Sequence, residues 1–208
     1  MKRMTGETRQ TLCRAAVCGF LLAAVFSMFP FAASCAELPQ NVLRLHVIAN
    51  SDSAEDQRVK LKVRDAVLTE AAKWYGGDST MEEASSTLCV HLEALQAAAD
   101  RALLENGSMD RALVQVTEQY FSTRNYETFA LPAGKYRTLL VTIGAGAGKN
   151  WWCVVFPSLC LPAAEESTEE LLTALPESQR EVVEHPQRYH IKFKAVELYE
   201  ELKKWLGC

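Results

Sequence analysis

Between residues 59 and 103 the apolar side chains recur every three or four positions. From residue 113 onward they fall at every second position or in short unbroken runs. No other feature restricts the fold as tightly. Successive side chains turn by about 100° on a helix and about 180° on a strand, so one pattern cannot serve both. Val59, Val63, Ala66, Val67, Ala71 and Trp74 trace one face of a first helix. Asn50-Ser51-Asp52-Ser53 reads as the turn before it, with Ser53 as N-cap, Asp56 at the capping-box position, and Gly76-Gly77 as the stop. A second helix is expected from near Thr80, with Glu83 three residues on. Met81, Ala84, Leu88, Leu92, Leu95, Ala99 and Leu103 form its stripe, and Asn106-Gly107 ends it.

Ahead of these helices, VLRLHVIAN (42–50) alternates Leu43, Leu45, Val47 and Ala49 with Arg44, His46 and Ile48, which predicts a strand. Behind them, Leu113, Gln115, Val116 and Thr117 open a strand region. TLLVTIG (138–144) and WWCVVFP (151–157) are stronger strands, and the glycine-rich 144–148 reads as a hairpin-like connection. Pro176 and Pro186 punctuate an acidic stretch with short helical pieces between them. IKFKAVELYEELKKWL then closes the chain as an amphipathic helix, with Val196, Tyr199, Leu202 and Leu206 along one side. The predicted class is α+β in a single domain: an N-terminal strand and two helices, an antiparallel sheet, and a C-terminal helix.

The first 36 residues stand outside that pattern. Lys2, Arg3, Arg9 and Arg14 precede a nearly uncharged run at 15–33, followed by Ser34-Cys35-Ala36 with small residues at its outer positions. This is export-signal architecture, with cleavage expected after Ala36, so residues 1–36 are a signal peptide and 37–208 the folded domain. Two alternatives stay open: an uncleaved anchor, and a lipoprotein modified at Cys35. Removal of the signal leaves 18 basic against 25 acidic residues, a net charge of −7. That balance argues against nucleic acid, whose binding depends on neutralising phosphates. It also argues against broad adhesion to anionic lipid, leaving an uncleaved signal as the route to membrane contact.

Seven cysteines occur, and four of them, Cys89, Cys153, Cys160 and Cys208, remain after cleavage. Four cysteines in an exported chain permit three connectivities. Cys153 and Cys160 are the closest pair, and a disulfide between them would close a short loop around Pro157. Their spacing fits no zinc pattern.

The run GAGAGKN (144–150) resembles a phosphate-binding loop but lacks its parts. Ile143 stands where the first glycine belongs, Asn150 where a Ser or Thr would hold magnesium, and a strand is expected where a helix should begin. The glycines are better read as a turn. His46, beside Asn50 and Asp52, could join Cys153 in a nucleophile–base arrangement with Asp52, which makes an exported cell-wall or peptide hydrolase the alternative function. Asp52, Asp56 and Asp65 could be read as a cation cluster, but capping, dipole complementation and solvation explain the first two more simply. Trp151 and Trp152 should point to opposite sheet faces, one into the core and one free to anchor a partner. Arg58, Lys62 and Lys73, with Lys60 and Arg64, make the first helix locally basic, a candidate strip for an acidic partner. Asn50 and Asp52 in the turn are the next candidates.

Two long strings carry a resemblance. LRLHVIANSDSAEDQRVKLKVRDAVL (43–68) resembles the opening of the stage II sporulation protein R family. LPAGKYRTLLVTIG (131–144), followed by GKNWWCVVFPSLC (148–160), resembles its second hallmark. The resemblance implies a signal and not an enzyme, with no catalytic residues or cofactor to carry over. Such a protein is secreted from the forespore into the space between forespore and mother cell. There it activates a membrane-embedded aspartic protease that processes the precursor of sigma factor E.

Overall fold

The computed structural model describes residues 6–74, 79–126, 129–157, 172–173 and 175–206. Its elements are α1 (Gly6–Glu37), β1 (Leu43–Ile48), α2 (Ala54–Ala71), α3 (Met81–Val90), α4 (Leu92–Glu105), β2 (Ala112–Phe121), β3 (Arg124–Asn125), β4 (Ala130–Leu131), β5 (Gly134–Ile143), β6 (Asn150–Phe156), α5 (Glu177–Glu184) and α6 (His190–Leu206), with short 3-10 turns at Leu38–Gln40 and Pro186–Tyr189. The mixed α+β class is as the sequence predicts.

Four strands form the main sheet in the order β2-β5-β1-β6. β2 pairs with β5, and β6 with β1, in antiparallel fashion, whereas β1 and β5 run parallel, Leu45 opposite Leu139. The sheet is therefore mostly antiparallel, not wholly so. β3 and β4 make a small separate hairpin with no signal in the sequence pattern.

The strand β1 lies between β5 and β6, which corrects the reading of 144–148. That segment is not a hairpin turn. It passes over the end of β1 to join two strands that are not neighbours, a span of about 10 Å at ordinary strand spacing. Strand–glycine–strand looks the same in sequence whether or not a third strand is inserted.

The two faces of β1 enter two cores. Leu43, Leu45 and Val47 pack with Val59, Val63, Leu88, Leu95 and Leu103 of α2–α4. On the other face, Tyr136 and Val154 meet Leu38, Val42, Phe121, Leu131 and Val183. A smaller cluster joins Phe31 and Cys35 of α1 to Val182 and Phe193. Each fully buried Leu or Val contributes roughly 1.5–3 kcal/mol of transfer free energy, so the double-sided burial of the sheet dominates stability.

The helix starts follow their caps. Ser53 Oγ accepts the Asp56 N–H at 3.0 Å, and Thr80 with Glu83 forms a full capping box. Asp56 does not complete a box with Ser53, because its carboxylate accepts from Ser51 Oγ and Asn50 Nδ2 instead. The expected second helix is two helices, interrupted at His91, whose ring stacks on Trp74 at 3.6 Å. α2 ends at Ala71, ahead of Gly76-Gly77, which lie outside the described residues. α6 forms where predicted, but Tyr199, Leu202 and Leu206 are exposed.

Candidate functional site

The glycine-rich segment 144–149 is bound to the Asn50–Asp52 turn. Asn50 is the pivot: its Oδ1 accepts the Ala145 N–H at 2.9 Å, its backbone carbonyl accepts the Ala147 N–H at 3.1 Å, and its Nδ2 donates to Asp56 at 3.2 Å. Gly148 N–H donates to the Ala49 carbonyl at 2.9 Å, and Lys149 N–H to Asp52 Oδ1 at 2.7 Å. Gly144 and Gly146 have φ of 53° and 60°, a region in which only glycine is unstrained. Side chains at Gly144 and Gly148 would collide with Asn50 and the Ser51 carbonyl. The glycines thus serve positive φ and close approach, with no phosphate cradle, and a strand follows Lys149.

α2 completes the brace. Lys60, buried although charged, donates to Gln57 Oε1 at 2.6 Å and to the Lys149 carbonyl at 3.0 Å. Burial lowers its pKa from the usual lysine value, partly opposed by Asp52. Ser51 Oγ–H donates to the Asp56 carboxylate, and this bond, the largest cause, holds the Asp56 pKa below its usual value. Among the described residues no group of His, Cys, Asp and Glu is arranged to hold a metal ion. Asp52 and Asp56 are engaged by the turn, and Asp65 pairs with Arg64 at 2.6 Å.

Trp151 and Trp152 divide between the faces as strand geometry requires. Trp151 is 37% exposed on the edge strand β6, with the Arg64 guanidinium 4.5 Å from its ring centre. Trp152 is half-buried on the other face, 5.7 Å from the His46 ring, with Arg124 Cζ 4.0 Å away.

The helix pitch sorts the basic residues of α2. Arg58 and Lys62 fall within about 40° of each other, while Lys60 and Arg64 turn toward segment 144–149 and Trp151, and Lys73 lies beyond the end of the helix. Arg58 pairs with Glu55 and Lys73 with Glu70, both at 2.6 Å, and Lys62 is exposed. Lys73 follows the end of α2, which lies about 20 Å along the axis from Arg58, so these charges do not converge on one point.

The structure does not assemble the Cys153–His46–Asp52 arrangement. Cys153 pairs with Leu45 and enters the helix-side core, whereas His46 projects from the opposite face. There His46 Nδ1 lies 2.8 Å from Gln119 Oε1 and Nε2 2.9 Å from Asn150 Oδ1. Cys89 is a free, exposed thiol. Cys160 and Cys208 lie outside the described residues.

The sequence pattern gave no hint of Arg44, which alternation assigns to a polar strand position. It is 0% exposed, lies 3.9 Å from the Phe121 ring centre, and donates from Nη2 to Tyr126 Oη at 2.8 Å. Burial lowers its pKa, with the two tyrosines Tyr126 and Tyr136 acting against that.

The class these features define is a three-layer α+β domain, its strands β5 and β6 joined across the end of β1 by a glycine segment locked to α2 and the turn before it. The family model described as stage II sporulation protein R (spore_II_R) matches residues 39–166, more than half of the chain. The chain belongs to the stage II sporulation protein R family. It is 37% identical over 123 residues to the stage II sporulation protein R of Bacillus subtilis (strain 168), an alignment covering 59% of this chain and 55% of that relative. The chain thus matches little more than half of the relative's length. No solved structure matches. Among the described residues no helix is long and apolar enough to cross a membrane.

Proposed function

We propose that this chain is an exported intercellular signal of endospore formation. It leaves the forespore through its N-terminal signal, acts between forespore and mother cell, and activates a membrane-embedded aspartic protease that processes the sigma factor E precursor. The reading rests on family membership over residues 39–166. The structural observation that best supports a binding role is Trp151. It is exposed on an edge strand, held by Arg64, and its neighbourhood is made rigid by segment 144–149. A ligand activates its target only by binding the active form more tightly than the inactive one. A preorganised aromatic anchor supplies such energy at small entropic cost.

The test is co-expression of the full chain with the protease and its sigma precursor, scoring cleavage. Wild type should promote processing. Trp151→Ala should abolish it while the protein stays folded and exported, and charge reversal at Lys62 should weaken it in a salt-dependent way. Unchanged processing with Trp151→Ala would move the contact surface elsewhere. Absence of processing with the wild-type chain would refute the activation role.

A further inference from the structure

The sheet face opposite α2–α4 carries a pocket of about 310 Å³, lined by His46, Gln119, Tyr120, Phe121, Arg124 and Trp152. Two guanidinium groups flank it. Arg124 belongs to the lining and stacks on Trp152 at 4.0 Å. Arg44, fully buried, stacks on Phe121, itself a wall of the pocket. Arg44 uses only Nη2 in a hydrogen bond. Its Nε and Nη1, and the Nε of Arg124, are buried without a partner. Among the described residues neither arginine forms an ion pair.

This arrangement is strongly unfavourable as it stands. A buried guanidinium requires a counter-charge and acceptors for its N–H groups. The rings of Phe121, Tyr136 and Trp152 offset part of the charge but offer no lone pair to those N–H groups. Arg44 and Arg124 also repel each other, which helps to lower the Arg44 pKa. The missing component is an anion from outside the described fold. A guanidinium fork fits a planar carboxylate bidentately. Aromatic walls favour a flat apolar body behind that carboxylate. Only one of the two cations lines the pocket, which suits a single negative charge better than a dianionic phosphate.

We propose that this pocket binds a carboxylate borne on a flat apolar group, with Arg124 as its counter-ion, Trp152 and Phe121 as its walls and Gln119 at its rim. The site lies on the opposite sheet face from Trp151 and does not depend on the signalling role.

The test follows the Trp152 indole N–H resonance of the full, nitrogen-15-labelled chain, assigned with Trp152→Phe. The probes are benzoate, its neutral isostere benzamide, N-acetylphenylalanine and inorganic phosphate. Benzoate or N-acetylphenylalanine should give saturable shifts, and benzamide none. Tighter binding of benzoate assigns a free aromatic acid; tighter binding of N-acetylphenylalanine assigns the end of a peptide. Arg124→Gln should weaken binding at least tenfold. Arg124→Lys, which keeps the charge but not the fork, should weaken it several-fold and serves if the glutamine variant does not fold. Equal shifts with benzamide, saturation by phosphate at lower concentration, or unchanged affinity in the arginine variants would overturn the proposal.

Discussion

Gly148 lies against Ser51 so closely that a Cβ on the glycine would overlap the serine carbonyl. Neither partner can yield, because Gly148 N–H is bonded to the Ala49 carbonyl and Ser51 is tied to Asp56. Gly148→Ala should therefore cost about 1–3 kcal/mol, the usual range for forced overpacking. Urea denaturation measures it. A loss below a few tenths of a kcal/mol would mean that the contact relaxes freely.

Asn50→Ala removes the acceptor for Ala145 N–H and the donor to Asp56 together. The expected loss is about 1–3 kcal/mol, and hydrogen exchange at Ala145 should speed up while the β2–β5 ladder stays protected. Equal acceleration across the sheet would show that the brace is not a local unit.

The pH dependence has a definite sign. The Asp56 pKa is depressed below its ordinary value of 3.8. Its stabilising contribution is complete above that value and is lost as pH falls through the lower, folded-state pKa. Glu83, held down by Thr80 N–H, acts in the same direction. The stability gap between wild type and Asp56→Asn, taken from melting curves, should be constant near neutrality and close below about pH 4. A gap that widens on acidification would contradict the bonding described.

The two tryptophans should separate in stability assays. Trp152→Ala opens a core containing Val154 and Tyr136 and should cost roughly 2–3 kcal/mol, below the range for fully buried tryptophan. Trp151→Ala loses chiefly the contact with Arg64, worth about 0.5–1 kcal/mol. Chemical denaturation of both variants decides the order.

Cleavage after Ala36 would remove Phe31, which stacks on Tyr189 and meets Phe193 edge-on, with ring centres 5.2 Å apart in each case. N-terminal sequencing of the exported form should show Glu37 first. The shortened chain should then bind an apolar dye at the uncovered Phe193 surface more strongly than the full chain does. A mature chain that retains residues 15–33 would exclude cleavage.

What could be read from sequence was local. Ser53 and Thr80 announced their helices because a cap acts within three residues. Val59, Val63 and Val67 announced a buried face because periodicity is a property of one element. The interruption at His91 was hidden because Leu88, Leu92 and Leu95 keep the helical spacing across it. The insertion of β1 between β5 and β6 was hidden because pairing between residues 94 to 113 positions apart leaves no short-range mark. Arg44 was hidden because alternation records only which face a residue takes, and here both faces are covered.

The central place of β1 also fixes when the protein can fold. Residues 43–48 find their neighbours only at 138–142 on one side and 150–156 on the other. A chain emerging from the ribosome holds its innermost strand with both edges unsatisfied until about ninety further residues have been made, and with one edge open until more than a hundred have. Helices α2–α4 can flicker into existence earlier, but the sheet that they cover does not yet exist. Assembly of the sheet is therefore governed by closure of long loops, which is slow compared with local helix formation. If the proposed export holds, such an order of events would keep the precursor loose for the length of its passage through a translocation pore.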